Sequence, residues 1–277
     1  MRPTKYVDVF SAEPTKGNPV AVVLEADGLS DEQMGQFAQW TNLSETTFVL
    51  RPTDPRADYL LRIWTPGGEL PFAGHPTLGS AHAWLEAGGT PKDPDSIVQQ
   101  CGAGLIDVRR ENDRLSFAAP PLTKSGPPDS QTLAQALRAL RLTEADVLDA
   151  TWLVNGPPWL GLLLTDPETV LATTPDFTAL GKLEIGLAGL YPTGSEPALE
   201  VRAFCPILGV AEDPVTGSLN AGLAQWLIGT NRLPKQYVAA QGSALNRNGR
   251  VYVHDDGTDI WVGGHTRTLI NGSVDLD

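Results

Sequence analysis

A phrase written twice constrains this chain more than anything else in it. The stretches "GHPTLGSAHAWL" at 74–85 and "EDPVTGSLNAGL" at 212–223 each carry an acid–base residue, a proline, Gly-Ser and a small-residue run. The match extends outward, with "LRIWTPGGELPFAGHPTLGSAHAWLEAG" at 61–88 running parallel to "VRAFCPILGVAEDPVTGSLNAGLAQWL" at 201–227. Arg62 aligns with Arg202, Trp64 with Phe204, Pro66 with Pro206, and Gly79-Ser80 with Gly217-Ser218. Weaker echoes link "IVQQCGAGLIDVRRENDRLSFAAP" at 97–120 to "YVAAQGSALNRNGRVYVHDD" at 237–256, and "GNPVAVVL" at 17–24 to "GPPWLGLLL" at 156–164. So many ordered matches imply two halves with one topology, and 277 residues are enough for two cores.

The Pro-rich segment "APPLTKSGPPDS" at 119–130 lacks apolar periodicity and reads as the linker, which divides 1–119 from 120–277. The last strand, "DIWVGGHTRTLINGSVDLD" at 259–277, has no clear partner in the second repeat and is free to return to the first half's sheet. His265, on that strand, reads as structural or exposed.

Each half reads as short alternating strands, such as "TTFVL", "YLLRIW" and "VRAF", around one helix that follows the HP or DP phrase. The first helix stops at Gly88-Gly89 and the second at Gly229. Both are apolar all round, the pattern of a buried helix. The expected fold class is therefore α/β (α+β): two pseudo-symmetric halves, each a curved, barrel-like sheet around a central helix. "SDEQMGQFAQW" at 30–40 is an amphipathic outer helix opened by a Ser30/Gln33 capping box, and "QTLAQALRALRLTEADVL" at 131–148 reads as a second covering helix. Trp64 and Trp159 read as core residues.

Composition narrows the function. A formal charge of −13 disfavours nucleic acid and anionic membrane surfaces as partners. The start "MRPTKYVDVFSAEP" lacks a signal pattern and no run approaches a membrane span, so the expected location is cytoplasmic. The two cysteines, Cys101 and Cys205, stand far apart and in no metal-ligand spacing, and read as buried thiols. No phosphate-binding glycine motif is present.

The repeat itself suggests an anion site. The first N–H groups of a helix lack partners within it and carry partial positive charge. Two such helices from equivalent halves, at Gly74–Thr77 and Pro214–Ser218, would cradle a carboxylate in a shared cleft. His75 and Asp213 then hold equivalent places just ahead of their helices, Asp213 also suits an N-cap before Pro214, and Ser218 falls in the first turn. Glu45, in "TNLSETTFVLRP", opens a β-branched segment and by itself reads as a solvent-facing strand residue.

Taken together, "GNP", "NLSETTF", "TPGGELPFAGHPTLG" and "EDPVTGS" resemble the phenazine-biosynthesis PhzF-like family over about residues 5–275. The resemblance implies the diaminopimelate epimerase-like fold, with an active site in the cleft between the halves. It also implies isomerase chemistry without cofactor or metal, on a small carboxylate-bearing metabolite. Glu45 would be the general acid/base, assisted by His75, Asp213 and Ser218, with Asn18, Ser44, Gly74 and Gly217 contacting substrate. A homodimer is a further expectation of the family. Related epimerases and racemases carry a cysteine ahead of each central helix, where this chain reads "FAGHP" and "AEDPV", so a two-thiol mechanism is not expected. Two alternatives stay open: a two-base epimerase using Glu45 and Asp213, and a non-catalytic protein that binds small carboxylates.

Overall fold

Period-two burial sets the strands. In "YLLRIWT", residues Tyr59, Leu61, Ile63 and Thr65 are buried while Leu60, Arg62 and Trp64 between them are less so, the signature of a sheet covered differently on its two faces. The computed structural model describes residues 1–206 and 210–276. The chain divides into two compact units, Met1–Ala118 with Gly263–Asp277, and Ala119–Val262.

The first unit contains β1 (Arg2–Val9), β2 (Asn18–Val23), α1 (Asp31–Thr41), β3 (Thr46–Leu50), β4 (Tyr59–Thr65), β5 (Gly68–Leu70), α2 (Gly74–Glu86), β6 (Ser96–Cys101), β7 (Gly104–Glu111) and β8 (Arg114–Ala118). Pairing runs β1–β2 antiparallel, β2–β3 parallel, β3–β4 antiparallel, β4–β6 parallel, then β6–β7 and β7–β8 antiparallel. The last strand of the chain closes this ring by pairing with both β1 and β8. A ring has no free edge, and its interior is filled by α2, buried from Gly74 through Ala81. The helix touches the strands so closely that a Cβ on Gly79 would lie 2.4 Å from Val20 Cγ1. Only glycine fits there. On the outside, α1 starts at Ser30 with the expected capping box and packs Met34 and Phe37 with Val23 and Phe48.

The second unit contains β9 (Lys124–Gly126), α3 (Ser130–Leu140), β10 (Val147–Val154), β11 (Pro158–Leu164), α4 (Pro167–Ala172), α5 (Phe177–Leu180), β12 (Glu184–Leu190), β13 (Leu199–Cys205), β14 (Val210–Asp213), α6 (Gly217–Gly229), β15 (Gln236–Gln241) and β16 (Gly249–Asp255). The final strand, β17 (Ile260–Val274), starts here and ends in the first unit. Pairing repeats the earlier order: β10–β11 antiparallel, β11–β12 parallel, β12–β13 antiparallel, β13–β15 parallel, β15–β16 antiparallel. Helix α6 is as buried as α2, and α3 covers the other sheet face against Leu160, Leu162, Leu164, Ile185 and Leu187.

Several expectations need correction. The second covering helix is shorter than 131–148, because Arg141 adopts a left-handed conformation and residues from Val147 onward join β10. The linker is not wholly irregular, since Lys124–Gly126 pairs with Val154–Trp152. The two central helices also start at different places. Helix α2 begins at Gly74, ahead of its Gly79, whereas α6 begins only at Gly217, the residue aligned with Gly79. His75 therefore lies inside the first turn of α2. Asp213 is not the N-cap of α6: it ends β14, paired with Ala203, and the N-cap is Thr216. The β-branched pair Val215-Thr216 delays the second helix, and the buried amide of Gln241 holds the Thr216 backbone N–H at 3.0 Å. Among the described residues no helix is long and apolar enough to cross a membrane.

Candidate active site

In the first unit a short stretch of chain delivers Glu45. Helix α1 ends where Asn42 turns left-handed (φ 54°), and the hydroxyls of Thr41 and Thr46 meet at 2.7 Å across the bend. Thr46 then enters β3 between Ala21 and Trp64, which fixes the residue just before it. The Glu45 side chain is only 13% exposed, so it does not face solvent as a strand carboxylate would by default. Its Oε2 is buried without a hydrogen bond and lies 3.5 Å from His75 Nε2. Burial raises the Glu45 carboxyl to about 7, against a smaller opposing pull from a hydrogen bond with Ser44.

His75 is buried in the first turn of α2. Asn18 Nδ2 approaches its Nδ1 at 3.3 Å. An amide nitrogen only donates, so the neutral ring accepts at Nδ1 and carries its proton on Nε2, the atom nearest Glu45. Asn18 is itself placed by the preceding turn, where buried Asp8 takes the backbone N–H of Gly17 at 3.1 Å and of Lys16 at 3.0 Å. A Cβ at Gly17 would lie 2.1 Å from the Val9 carbonyl oxygen, which explains the glycine of "GNP". The N-cap of α2 is Ala73, which offers its first turn no side-chain acceptor.

In the second unit Asp213 accepts from Thr216 Oγ1 at 2.6 Å. Gln241 locks this corner: its Nε2 donates to the Asp213 carbonyl and to Thr216 Oγ1, and its Oε1 accepts from Thr216 N and Asn220 Nδ2. Helix α6 likewise has no side-chain cap at Gly217. Ser218, its second residue, accepts at Oγ from the Trp159 indole at 3.0 Å and at its carbonyl from Asn155 Nδ2 at 2.8 Å.

The structure thus brings together Glu45, His75 and Asn18 in one unit, with Ser44 and Gly74 adjacent in sequence. In the other it brings together Asp213, Gly217 and Ser218. Sequence reading missed Gln241, Asn155 and Glu184. Trp159 is core, as expected, at 1% exposure, yet it also anchors Ser218. Trp64 is partly buried, packed on the α1 cluster. His265 lies 3.3 Å from Asp113. A buried Gln or Asn carries no periodic signal, so only an unexplained polar residue in an apolar strand, such as Gln241 in "QYVAAQ", hinted at them.

Comparison with known proteins adds the family. The model of phenazine biosynthesis-like proteins matches residues 7–273. Antisense-enhancing sequence 1 of Schizosaccharomyces pombe is 36% identical, with 97% of each chain covered. The trans-2,3-dihydro-3-hydroxyanthranilate isomerase of Pseudomonas aeruginosa is 34% identical over 91% of this chain and 89% of its own. Among solved structures, one described as a predicted epimerase from Pseudomonas aeruginosa superposes with a TM-score of 0.82 at 27% identity, covering 99% of both chains.

Proposed function

The chain belongs to the phenazine biosynthesis-like protein family, and from that premise we propose an isomerase that moves a proton within a small carboxylate-bearing metabolite, with Glu45 as general acid/base. The observation that carries this reading is the Glu45 carboxyl, buried, raised to about 7 and set 3.5 Å from His75 Nε2. Abstracting a proton from carbon needs a positioned base whose pKa lies near working pH, and burial supplies that here. Glu45 takes the proton from a carbon next to a double bond, the electron pair left by the broken C–H bond shifts the double bond along, and the same carboxyl returns the proton to the carbon at the far end of the shifted system. No external oxidant or co-reactant is required. In this reading the N–H groups at Gly74 and Gly217, which no N-cap side chain takes, hold the substrate carboxylate in a cleft between the halves, as the family resemblance implies, and His75, Asp213 and Ser218 assist proton transfer and binding. Cys101 and Cys205 are buried at the ends of β6 and β13 without a disulfide, and neither stands directly ahead of α2 or α6, which argues against paired thiols as the bases.

Turnover of trans-2,3-dihydro-3-hydroxyanthranilate, the compound named for the Pseudomonas relative, in deuterated water tests the reading. Solvent deuterium should appear at the carbon that receives the proton, and Glu45→Gln should lose about 10²–10⁴-fold in rate. Full turnover by the Gln variant would end it.

A further inference from the structure

Gln241 is a polar side chain that the duplicated architecture does not require. Tyr59 pairs with Gln99 on β6 as Leu199 pairs with Ala239 on β15, and this shared register puts Cys101 of the first half at the place of Gln241. A glycine, Gly102 or Gly242, follows in both halves. A thiol fills the position in one half, so a glutamine only 1% exposed in the other answers to something particular to that half. What it meets is the turn that carries Asp213. Gly242 (φ 95°) packs so closely there that a Cβ would lie 2.7 Å from the Pro214 carbonyl oxygen.

Every hydrogen-bonding position of the Gln241 amide is used. Oε1 accepts from the Thr216 backbone N–H at 3.0 Å and from Asn220 Nδ2 at 2.8 Å, while Nε2 donates to the Asp213 carbonyl at 3.1 Å and to Thr216 Oγ1 at 2.9 Å. The two backbone partners have fixed roles, a donor on one side and an acceptor on the other, so the amide cannot be reversed. The direction of the Thr216 hydroxyl follows from this. Because it accepts from Nε2, its single proton goes to Asp213 Oδ2, 2.6 Å away. Without Gln241 that hydroxyl could rotate and accept from Asp213 instead.

We propose that Gln241 is a positioning residue for the reaction: by setting the direction of the Thr216 hydroxyl, it holds the Asp213 carboxylate in one orientation and as an acceptor. Asp213 then serves the substrate by taking a hydrogen bond or a proton from it. This rests on the reading above in which Asp213 assists proton transfer. Gln241 itself acts only through Thr216 and Asp213.

Gln241→Glu keeps the shape and the two contacts of Oε1, but an ionised carboxylate has no proton to give in place of the Nε2 donors. The Thr216 hydroxyl should turn toward it and leave Asp213 without a donor. In turnover of trans-2,3-dihydro-3-hydroxyanthranilate at about pH 8, kcat should fall about tenfold or more, with KM changed by less than about threefold. As pH falls toward about 5 the introduced carboxyl takes up a proton and regains an O–H donor, so the deficit relative to wild type should shrink. A loss of fold support alone would not be restored by acid. Thr216→Val should lose about as much at every pH, whereas Thr216→Ser, which keeps the hydroxyl, should stay within about threefold of wild type. A Gln241→Glu deficit that does not change with pH, or a Thr216→Val variant as active as Thr216→Ser, overturns the positioning role while the isomerase reading stands. If Gln241→Glu does not fold, the Thr216 pair decides alone. Full turnover by Asp213→Asn overturns the part of Asp213 in the reaction, and this proposal with it. Absence of turnover by the wild type overturns the isomerase reading on which the proposal rests.

Discussion

Asn18 Nδ2 lies 3.3 Å from His75 Nδ1, and this contact decides which ring nitrogen holds the proton. With Nδ1 accepting, Nε2–H points at Glu45. Asn18→Leu removes the donor and frees the ring to take the other tautomer. Nitrogen NMR of the labelled ring should then show a tautomer mixture in place of the Nε2–H form, with kcat down about tenfold or more. An unchanged ring spectrum would remove Asn18 from this role.

Glu45 should make the fold less stable as pH rises. Its folded pKa, about 7, lies above the ordinary 4.5, so the folded chain holds this proton more tightly than the unfolded chain does. The stabilising contribution is complete below about pH 4.5 and is lost as pH climbs through 7. Glu45→Gln, which never ionises, should match the wild type near pH 4.5 and exceed it by about 1–3 kcal/mol near pH 8 in urea unfolding. Glu184, raised by burial to a similar value, should behave alike when replaced by Gln.

The same ionisation sets the activity profile. If Glu45 is the base, kcat/KM should rise with pH and level off above about 7, following the free enzyme's carboxylate. A profile flat between about pH 5 and 8 would assign the proton to another group.

Trp159→Phe keeps most of the ring but deletes the N–H held by Ser218 Oγ at 3.0 Å. Loss of one buried hydrogen bond should cost about 1 kcal/mol in thermal unfolding. Because Ser218 is then free to turn, KM should rise more than kcat falls.

Gly79→Ala tests how closely α2 sits on its strands. The added methyl meets Val20 Cγ1 at 2.4 Å and Val9 Cγ2 at 3.1 Å. Neither partner can leave a buried strand, so overpacking should cost about 1–3 kcal/mol in urea unfolding. A neutral result would mean that the helix shifts freely inside the ring.

Much of the architecture could be read from local pattern. The duplicated phrase announced two halves, and the pairing order of β1 to β7 recurs in β10 to β16. The Ser30/Gln33 capping box and the all-round apolar character of α2 and α6 are local signals, and they appeared where the sequence placed them. The helix starts were less legible. "GHPTLGS" and "EDPVTGS" align residue for residue, yet the first is helical from its opening residue, Gly74, and the second only from its sixth, Gly217. That difference comes from Gln241, far along the chain, whose side chain occupies the Thr216 N–H.

The sequence alone thus determined the duplication, the buried central helices and the residue types with which acid–base work can be done. Tertiary structure decided their state. Burial, which depends on strands distant in the chain, turned Glu45 from an ordinary strand carboxylate into one raised to about 7 and set 3.5 Å from His75 Nε2. It also left Glu184 without a donor on the α6 side of its sheet, a fact that no spacing could show because desolvation and unmet hydrogen bonds exist only once the chain has closed around them.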